Sequence, residues 1–390
     1  MTVNKEKNPV GHYLHKKIKE LWKDDNPLSE VENELDLFVN AEESEKQAEY
    51  AFDAIKKLMG STLVEDGLCV GVLKNWKQLE RVLYATDEEY RDHFLHPFNT
   101  YLLGLIIGKH MGIFDEKEDL EAWQYAAFFH DVGYPVEKAK AISESIRETY
   151  FKSIPEFTIS DIQVTSPRPA LLSETHDCIS QISGGFVGKF GAGHESGQSN
   201  AEAIFQEGLL NNDHGVVSAV IFWNFAFLDA LQIDRSKTLD IVKKSVTAMA
   251  LHNLHWTFPG LRIRADKLPL PFLLALCDEL QEWGRPTIAD LFRDPDIKDS
   301  PDATGWKFLK ELKIEEKNKS IIITITYYPE RECESCTKRL FKNLTHLFEE
   351  VFLPGTYNNI EKFEIFVNRD TFLAGIDEKK YIVESHFRND

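Results

Sequence analysis

The dipeptide His130-Asp131 closes an apolar run, Trp123-Gln-Tyr-Ala-Ala-Phe-Phe129, just ahead of Gly133 and Pro135. An imidazole and a carboxylate side by side at the buried end of a helix can each serve one metal ion, or one of them can bridge two. Such a pair also arises by chance, and His176-Asp177 is a second copy in this chain. The first copy is set apart by its company. Upstream, Asp92-His93-Phe-Leu-His96 opens the apolar segment Pro97–Ile107. Downstream stand Asp213-His214-Gly215, then Ala250-Leu-His252-Asn-Leu-His255, then Leu276-Cys-Asp278-Glu-Leu280. Each ligand type lies in or beside an apolar helical pattern, where an unpaired imidazole or carboxylate is costly to bury.

Each of these residues has a plainer competing reading. His93 and His96 are three apart and share nearly one helical face; His96 adjoins the apolar run and is the better ligand, which leaves His93 for an outer or substrate contact. His214 follows Asn211-Asn-Asp213, a helix-capping sequence, so an exposed first-turn histidine is its alternative. His252 and His255 end a helical pattern, where structural histidines are common. Asp278 sits among Leu273, Leu274, Leu276 and Leu280, which makes a surface position a poor account of it.

The order His, His-Asp, His, His, Asp on successive helices resembles the HD-domain metal-dependent phosphohydrolase superfamily over residues 85–290. The stretches Asp213-His-Gly-Val-Val-Ser-Ala and Cys277-Asp-Glu-Leu-Gln-Glu-Trp-Gly-Arg285 resemble a bacterial branch of that superfamily. The resemblance implies that His96, His130, Asp131 and Asp278 hold a first metal ion. Asp131 would bridge to a second, completed by His214 and His252. Asp131 and His93 are then the residues expected to act in catalysis. Phosphoester hydrolysis needs an activated water, charge neutralisation on the phosphoryl oxygens and help for the leaving group, and two metals a few ångströms apart supply these. A donor set this rich in imidazole suits Mn, Fe, Co, Ni or Zn better than an all-oxygen Mg or Ca site.

One departure touches substrate binding. Many HD hydrolases follow Asp-x-Gly with a lysine, whereas this chain reads His130-Asp-Val-Gly133-Tyr134. Lys138, Lys140, Arg91 and Arg285 are the candidate replacements for that cation. Three further features carry weaker expectations. His176-Asp177 lacks a preceding apolar helix and reads as structural, or as a contributor to the active site from a remote part of the chain. The segment Ser183–Ser199 is glycine-dense without the Gly-Lys-Ser/Thr ending of a phosphate-binding loop, so it reads either as a loop at the site mouth or as a plain connection. Cys333-Glu-Ser-Cys336 has metal or redox spacing but no second pair nearby.

Composition narrows the class. A chain of 390 residues with 43% hydrophobic content suffices for a sizeable core. Five cysteines argue against a disulfide framework. The apolar stretches are too short for a membrane span, and Met1-Thr-Val-Asn-Lys-Glu-Lys lacks a signal-peptide core; a cytoplasmic protein with no membrane partner is expected. A formal charge of −19 disfavours duplex nucleic acid, which demands clustered cations. A small nucleotide remains compatible, because bound metals and a few local basic groups can hold its phosphates. The oligomeric state is open.

The elements that must position these residues are mostly helices. Residues 1–50 form a charged extension with helical patterns at His15–Trp22 and Ser29–Phe38. From 51 to 300 the patterns are long and apolar: Glu49–Met59, Trp76–Tyr84, Pro97–Gly108, Leu120–His130, His214–Leu231, Ser236–His252 and Pro271–Trp283. From 305 to 390 the chain changes character. Strands are expected at Trp306–Ile314, Ser320–Tyr328, Phe363–Val367 and Tyr381–Val383, with a helix at Cys336–Phe352. The expected architecture is therefore mostly α: an HD-domain helical bundle with a small C-terminal α+β appendage. The expected function is hydrolysis of a small nucleotide or related phosphoester, a small phosphorylated substrate being the partner. A single-strand nuclease and a non-catalytic metal-binding sensor or scaffold are the alternatives.

Overall fold

The computed structural model describes residues 8–41, 44–60, 67–86, 95–139, 204–205, 207–230, 235–257, 262–281, 283, 309–327, 334–352, 360–367, 370–375 and 381–384. Among them the architecture is mostly helical, with one small sheet near the C-terminus. Helices α1 (Pro9–Trp22), α2 (Glu32–Asn40), α3 (Ser44–Gly60) and α4 (Leu68–Thr86) precede α5 (Leu95–Met111) and α6 (Lys117–Phe129). Then come α7 (His214–Ala230), α8 (Arg235–Thr257) and α9 (Pro269–Leu280).

Helix α5 is the centre of the bundle. It is apolar on every side, and a helix of that kind is stable only when surrounded. Every residue from Leu95 to Gly108 is buried, against α1, α3, α6 and α9. The N-terminal extension belongs to the same core. Asn8 caps α1 by accepting from the Gly11 N–H at 2.8 Å, with Pro9 in the first turn. Val10, Leu14 and Ile18, spaced four apart, are then fully buried, and the Trp22 indole N–H donates to the Leu105 carbonyl of α5 at 3.2 Å.

The C-terminal unit is a five-stranded sheet in the order β1-β2-β3-β4-β5: Leu309–Lys317, Ser320–Tyr327, Lys362–Val367, Asp370–Gly375 and Tyr381–Glu384. Neighbouring strands are antiparallel except β2 and β3, which run parallel because helix α10 (Glu334–His346) and a following wide turn at Leu347–Val351 lie between them in the chain. Phe363, Ile365 and Val367 are buried at alternate positions of β3, the period of a half-covered strand. Phe341 and Phe348 cover that face, with ring centroids 5.8 Å from Phe372 and Phe363 respectively. Phe352 then docks the unit on α9 through Phe272, at 4.2 Å, beside a parallel bridge between Ile263 and Phe352. The Tyr13 hydroxyl accepts from the Ile314 N–H at 2.6 Å, tying α1 to β1.

Several bounds differ from the sequence reading. Strand β1 runs on through Glu315-Glu-Lys317, which reads as a connection; the reversal is confined to Asn318-Lys319, both at positive φ (52° and 62°). Those charged residues lie on an edge strand, where apolar alternation is not required. Strand β4 has no counterpart in the sequence reading, because its pairing to β3 rather than its own composition makes it a strand. Helix α8 continues to Thr257, so His255 lies in its last turn and His252 one turn further in.

Packing at the centre leaves no slack. A Cβ placed on Gly104 would come within 1.9 Å of the Trp123 ring. Alanine gains up to about 1 kcal/mol over glycine in a helix interior, but overpacking a core costs about 1–3 kcal/mol. Gly104→Ala is therefore expected to destabilise the protein, read as a lower denaturant midpoint in urea at unchanged slope; an unchanged or raised midpoint would show that α5 and α6 have room to part.

Candidate metal centre

His96 enters on the first turn of α5, and His130 and Asp131 follow directly on the end of α6. His214 opens α7, His252 lies in α8 and Asp278 near the end of α9. Five separate helices therefore meet at one point. His96, His130, Asp131 and His252 are each at most 3% exposed, and their rings form a chain: His96–His130 at 5.2 Å, His130–His252 at 5.0 Å and His252–His214 at 5.2 Å between centroids.

The four imidazoles share one hydrogen-bonding pattern. His130 Nδ1–H donates to the Ala127 carbonyl at 2.8 Å, and His252 Nδ1–H to the Met249 carbonyl at 2.6 Å. His214 Nδ1–H donates to Glu137 Oε2 at 2.7 Å. His96 Nδ1–H donates to the Gln281 Oε1, whose amide is oriented by its own N–H bond to the Trp283 carbonyl at 2.7 Å. A carbonyl or carboxylate oxygen can only accept, so each ring holds its proton on Nδ1 and presents Nε2 to the centre. His130 Nε2 and His252 Nε2 are buried there with no hydrogen-bond partner.

The inward atoms stand at ligand spacing. His130 Nε2 is 3.6 Å from both Asp131 Oδ1 and Asp278 Oδ1, and His214 Nε2 is 3.5 Å from Asp131 Oδ1. Two donors about 2.1 Å from one tetrahedral ion are roughly 3.4 Å apart. The other oxygen of Asp131 faces His96 Nε2 at 3.9 Å, so the carboxylate is shared between the His96 and His214 sides. Two triads, His96–His130–Asp278 and His130–Asp131–His252, each gather their donor atoms tightly enough to hold an ion. The orphaned, buried Nε2 atoms and the uniform Nδ1 anchoring fit a bound metal ion.

Electrostatics without a cation agree with that fit. Burial would raise the Asp278 carboxyl, but the facing His130 and His96 rings outweigh it and hold the group well below the usual carboxylate range; His96 Nε2 lies 2.7 Å from Asp278 Oδ1. Burial opposes protonation of His214, yet Glu137 and Asp131 lift it to about 9. Burial, with the His130 charge adding to it, pushes His252 down to about 3. Protons held between these acids and bases occupy the role a cation would take, and an ion bound here would displace them.

Local sequence explains the convergence. Asp213 caps α7 by accepting from the Val216 N–H at 3.1 Å. Its second oxygen accepts from Asn253 at 3.0 Å and Thr257 at 2.7 Å, binding the start of α7 to α8. A Cβ on Gly133 would lie 2.5 Å from the His214 carbonyl oxygen, and one on Gly215 2.6 Å from the Met249 carbonyl oxygen. Both contacts are with backbone, so these glycines allow the close approach that brings His214 to the centre. His214 is thereby mostly buried, with 12% of its side chain exposed, rather than a solvated first-turn residue.

The structure thus brings together His96, His130, Asp131, His214, His252 and Asp278. His93, the His176-Asp177 pair, the 183–199 segment and Cys333 lie outside the described residues. Sequence reasoning missed the acceptors that orient the rings. Gln281 follows Asp278 by three residues, just past the end of α9, a spacing that signals its role in retrospect. Ala127 and Met249 each lie three residues before their histidine, but backbone carbonyls leave no mark in sequence. Glu137 follows Asp131 by six residues and carries no motif. Cys69 and Cys277 are buried, and among the described residues no helix is long and apolar enough to cross a membrane.

Comparison of the chain with protein-family models, curated proteins and solved structures returned no match.

Anchoring partners of this kind contribute about 10–100-fold to metal affinity. Gln281→Leu is therefore expected to weaken metal binding by about that factor, measured by competition against a chromophoric chelator, while a thermal melt shows a folded protein. Unchanged affinity in a folded Gln281→Leu variant would mean that His96 does not bind metal through Nε2.

Proposed function

We propose that this chain is an HD-type metal-dependent phosphohydrolase acting on a small nucleotide or a related phosphoester. The observation that carries the reading is the convergence of four Nδ1-anchored imidazoles and two carboxylates on one buried centre. The HD-type bundle is part of this proposal, drawn from the ligand order along the chain and the delivery of each ligand by its own helix. Asp131, whose two oxygens face different imidazoles, supports a pair of ions with this carboxylate between them. The nitrogen-rich donor set favours Mn, Fe, Co, Ni or Zn. When bound, such ions supply Lewis-acid charge neutralisation and lower the pKa of water.

The chain's own residues divide the remaining work. His96, His130 and Asp278 hold one side of the centre, and His214 and His252 the other. Glu137 keeps the His214 ring oriented through Nδ1. Tyr134 packs edge-on against His214 at 5.4 Å, and the Lys138 ammonium lies 5.2 Å from the Tyr134 ring centroid. Lys138, reaching toward the centre through Tyr134, is assigned the phosphate-facing role left open by Tyr134 after Asp-x-Gly. Lys140, Arg91 and Arg285 lie outside the described residues. The acidic charge of −19 argues for a small substrate over a polymer.

The test is metal analysis of the purified protein, then a panel of nucleotides and phosphodiesters with Mn or Co added. Asp131→Ala should lose metal and lower turnover on the order of a thousandfold, since several kcal/mol of transition-state stabilisation rest on the ions. Its fold should survive, because apolar faces hold the helices. The exposed Asp53→Ala variant is the control and should match wild type. Preference for single-stranded oligonucleotides would redirect the reading to a nuclease, and tight metal binding without hydrolysis to a sensor. An Asp131→Ala protein with full activity would remove the centre from catalysis.

A further inference from the structure

We propose that His255 and His346 form a second metal site, separate from the centre around Asp131, which takes one divalent transition-metal ion of the zinc, nickel or copper type. His255 lies one turn beyond His252 on α8 and is 2% exposed; its ring faces the Leu251 carbonyl, but neither ring nitrogen reaches a partner at hydrogen-bond geometry. His346 ends α10. Its Nδ1 faces Glu350 Oε2 at 3.4 Å, one helical turn away, and its Nε2 is buried without a hydrogen-bond partner. Three ring nitrogens thus lie unpartnered where two elements of different units meet. Burying them unpaired costs free energy that an apolar pair in the same place would not.

The spacing suits a shared ion. The His255 and His346 centroids are 5.3 Å apart, against 5.2, 5.0 and 5.2 Å between neighbouring imidazoles of the first centre. Rings so placed can each bring a nitrogen to about 2.0–2.1 Å from one ion. Glu350 would act on His346 as an orienting carboxylate, the arrangement common to metal-bound histidines. Burial lowers the pKa of both rings, that of His255 to about 3, so each retains a lone pair at neutral pH. The Arg262 guanidinium, which also faces His346, donates to the Glu349 carbonyl at 3.3 Å. Trp256 stacks on His346 at 4.2 Å with planes 18° apart and is 45% exposed, leaving a solvent side from which water can complete the coordination. An ion here would fasten α10 of the C-terminal unit to α8, which carries His252.

Trp256 also provides the readout, because Cu2+ bound at His346 quenches a tryptophan stacked on that ring. The full chain carrying Asp131→Ala, which disables the first centre, is stripped of metal and titrated with Cu2+. One equivalent should quench the emission that distinguishes it from the same protein with Trp256→Phe, and Zn2+ should compete. Adding His346→Ala or His255→Gln should abolish that quenching and lower bound metal by one ion per chain. His346 is partly exposed, so its loss leaves the helices packed, which circular dichroism verifies. Quenching and metal content unchanged in a folded His346→Ala protein would overturn the proposal, as would absence of Trp256-dependent quenching in the parent. Neither outcome depends on whether the first centre hydrolyses phosphoesters.

Discussion

An imidazole can be buried cheaply only when its N–H is accepted, and here each of four rings meets that demand on the same atom. Two backbone carbonyls, one glutamine amide and one carboxylate take the Nδ1 protons. The consequence is geometric: all four Nε2 atoms must point inward, where two carboxylates meet them. The helices around them are arranged to satisfy that constraint.

Helix ends and close backbone approaches do most of the delivery. His130 and Asp131 lie just past the end of α6, His214 starts α7, and Asp278 and Gln281 flank the end of α9. Residues at such positions are freed from continuing the helix and can turn toward a common point. Asp213 joins the start of α7 to α8 with both of its oxygens, while Gly133 and Gly215 remove the side chains that would hold the backbones apart. Residues next to the ligands in sequence thus set distances at the centre.

The C-terminal unit continues the same core. Its Phe352 packs on α9, Asn343 donates to Glu279 at 2.7 Å beside Asp278, and His346 meets His255 on α8. The helices that supply Asp278 and His252 are thus both touched by this unit, as is α1 through Tyr13. A sheet that reads as an appendage in sequence is a support for the centre's ligands in three dimensions.

The ligand types and the helices that carry them were legible in the sequence, because apolar periodicity marks buried faces and a charged or imidazole residue within one stands out. His96, His130, Asp131 and Asp278 are conspicuous for that reason. The mostly helical class and four of the five strands were legible on the same grounds. Strand β4 and the extension of β1 through Glu315-Glu-Lys317 were not, since both exist by pairing rather than by pattern. The ring orientations, the sharing of Asp131 between two imidazole groups, the burial of His214 and the meeting of His255 with His346 came from tertiary structure alone. Each depends on which distant backbone or side chain arrives opposite a nitrogen, and such encounters between separate helices leave no periodic trace along the chain.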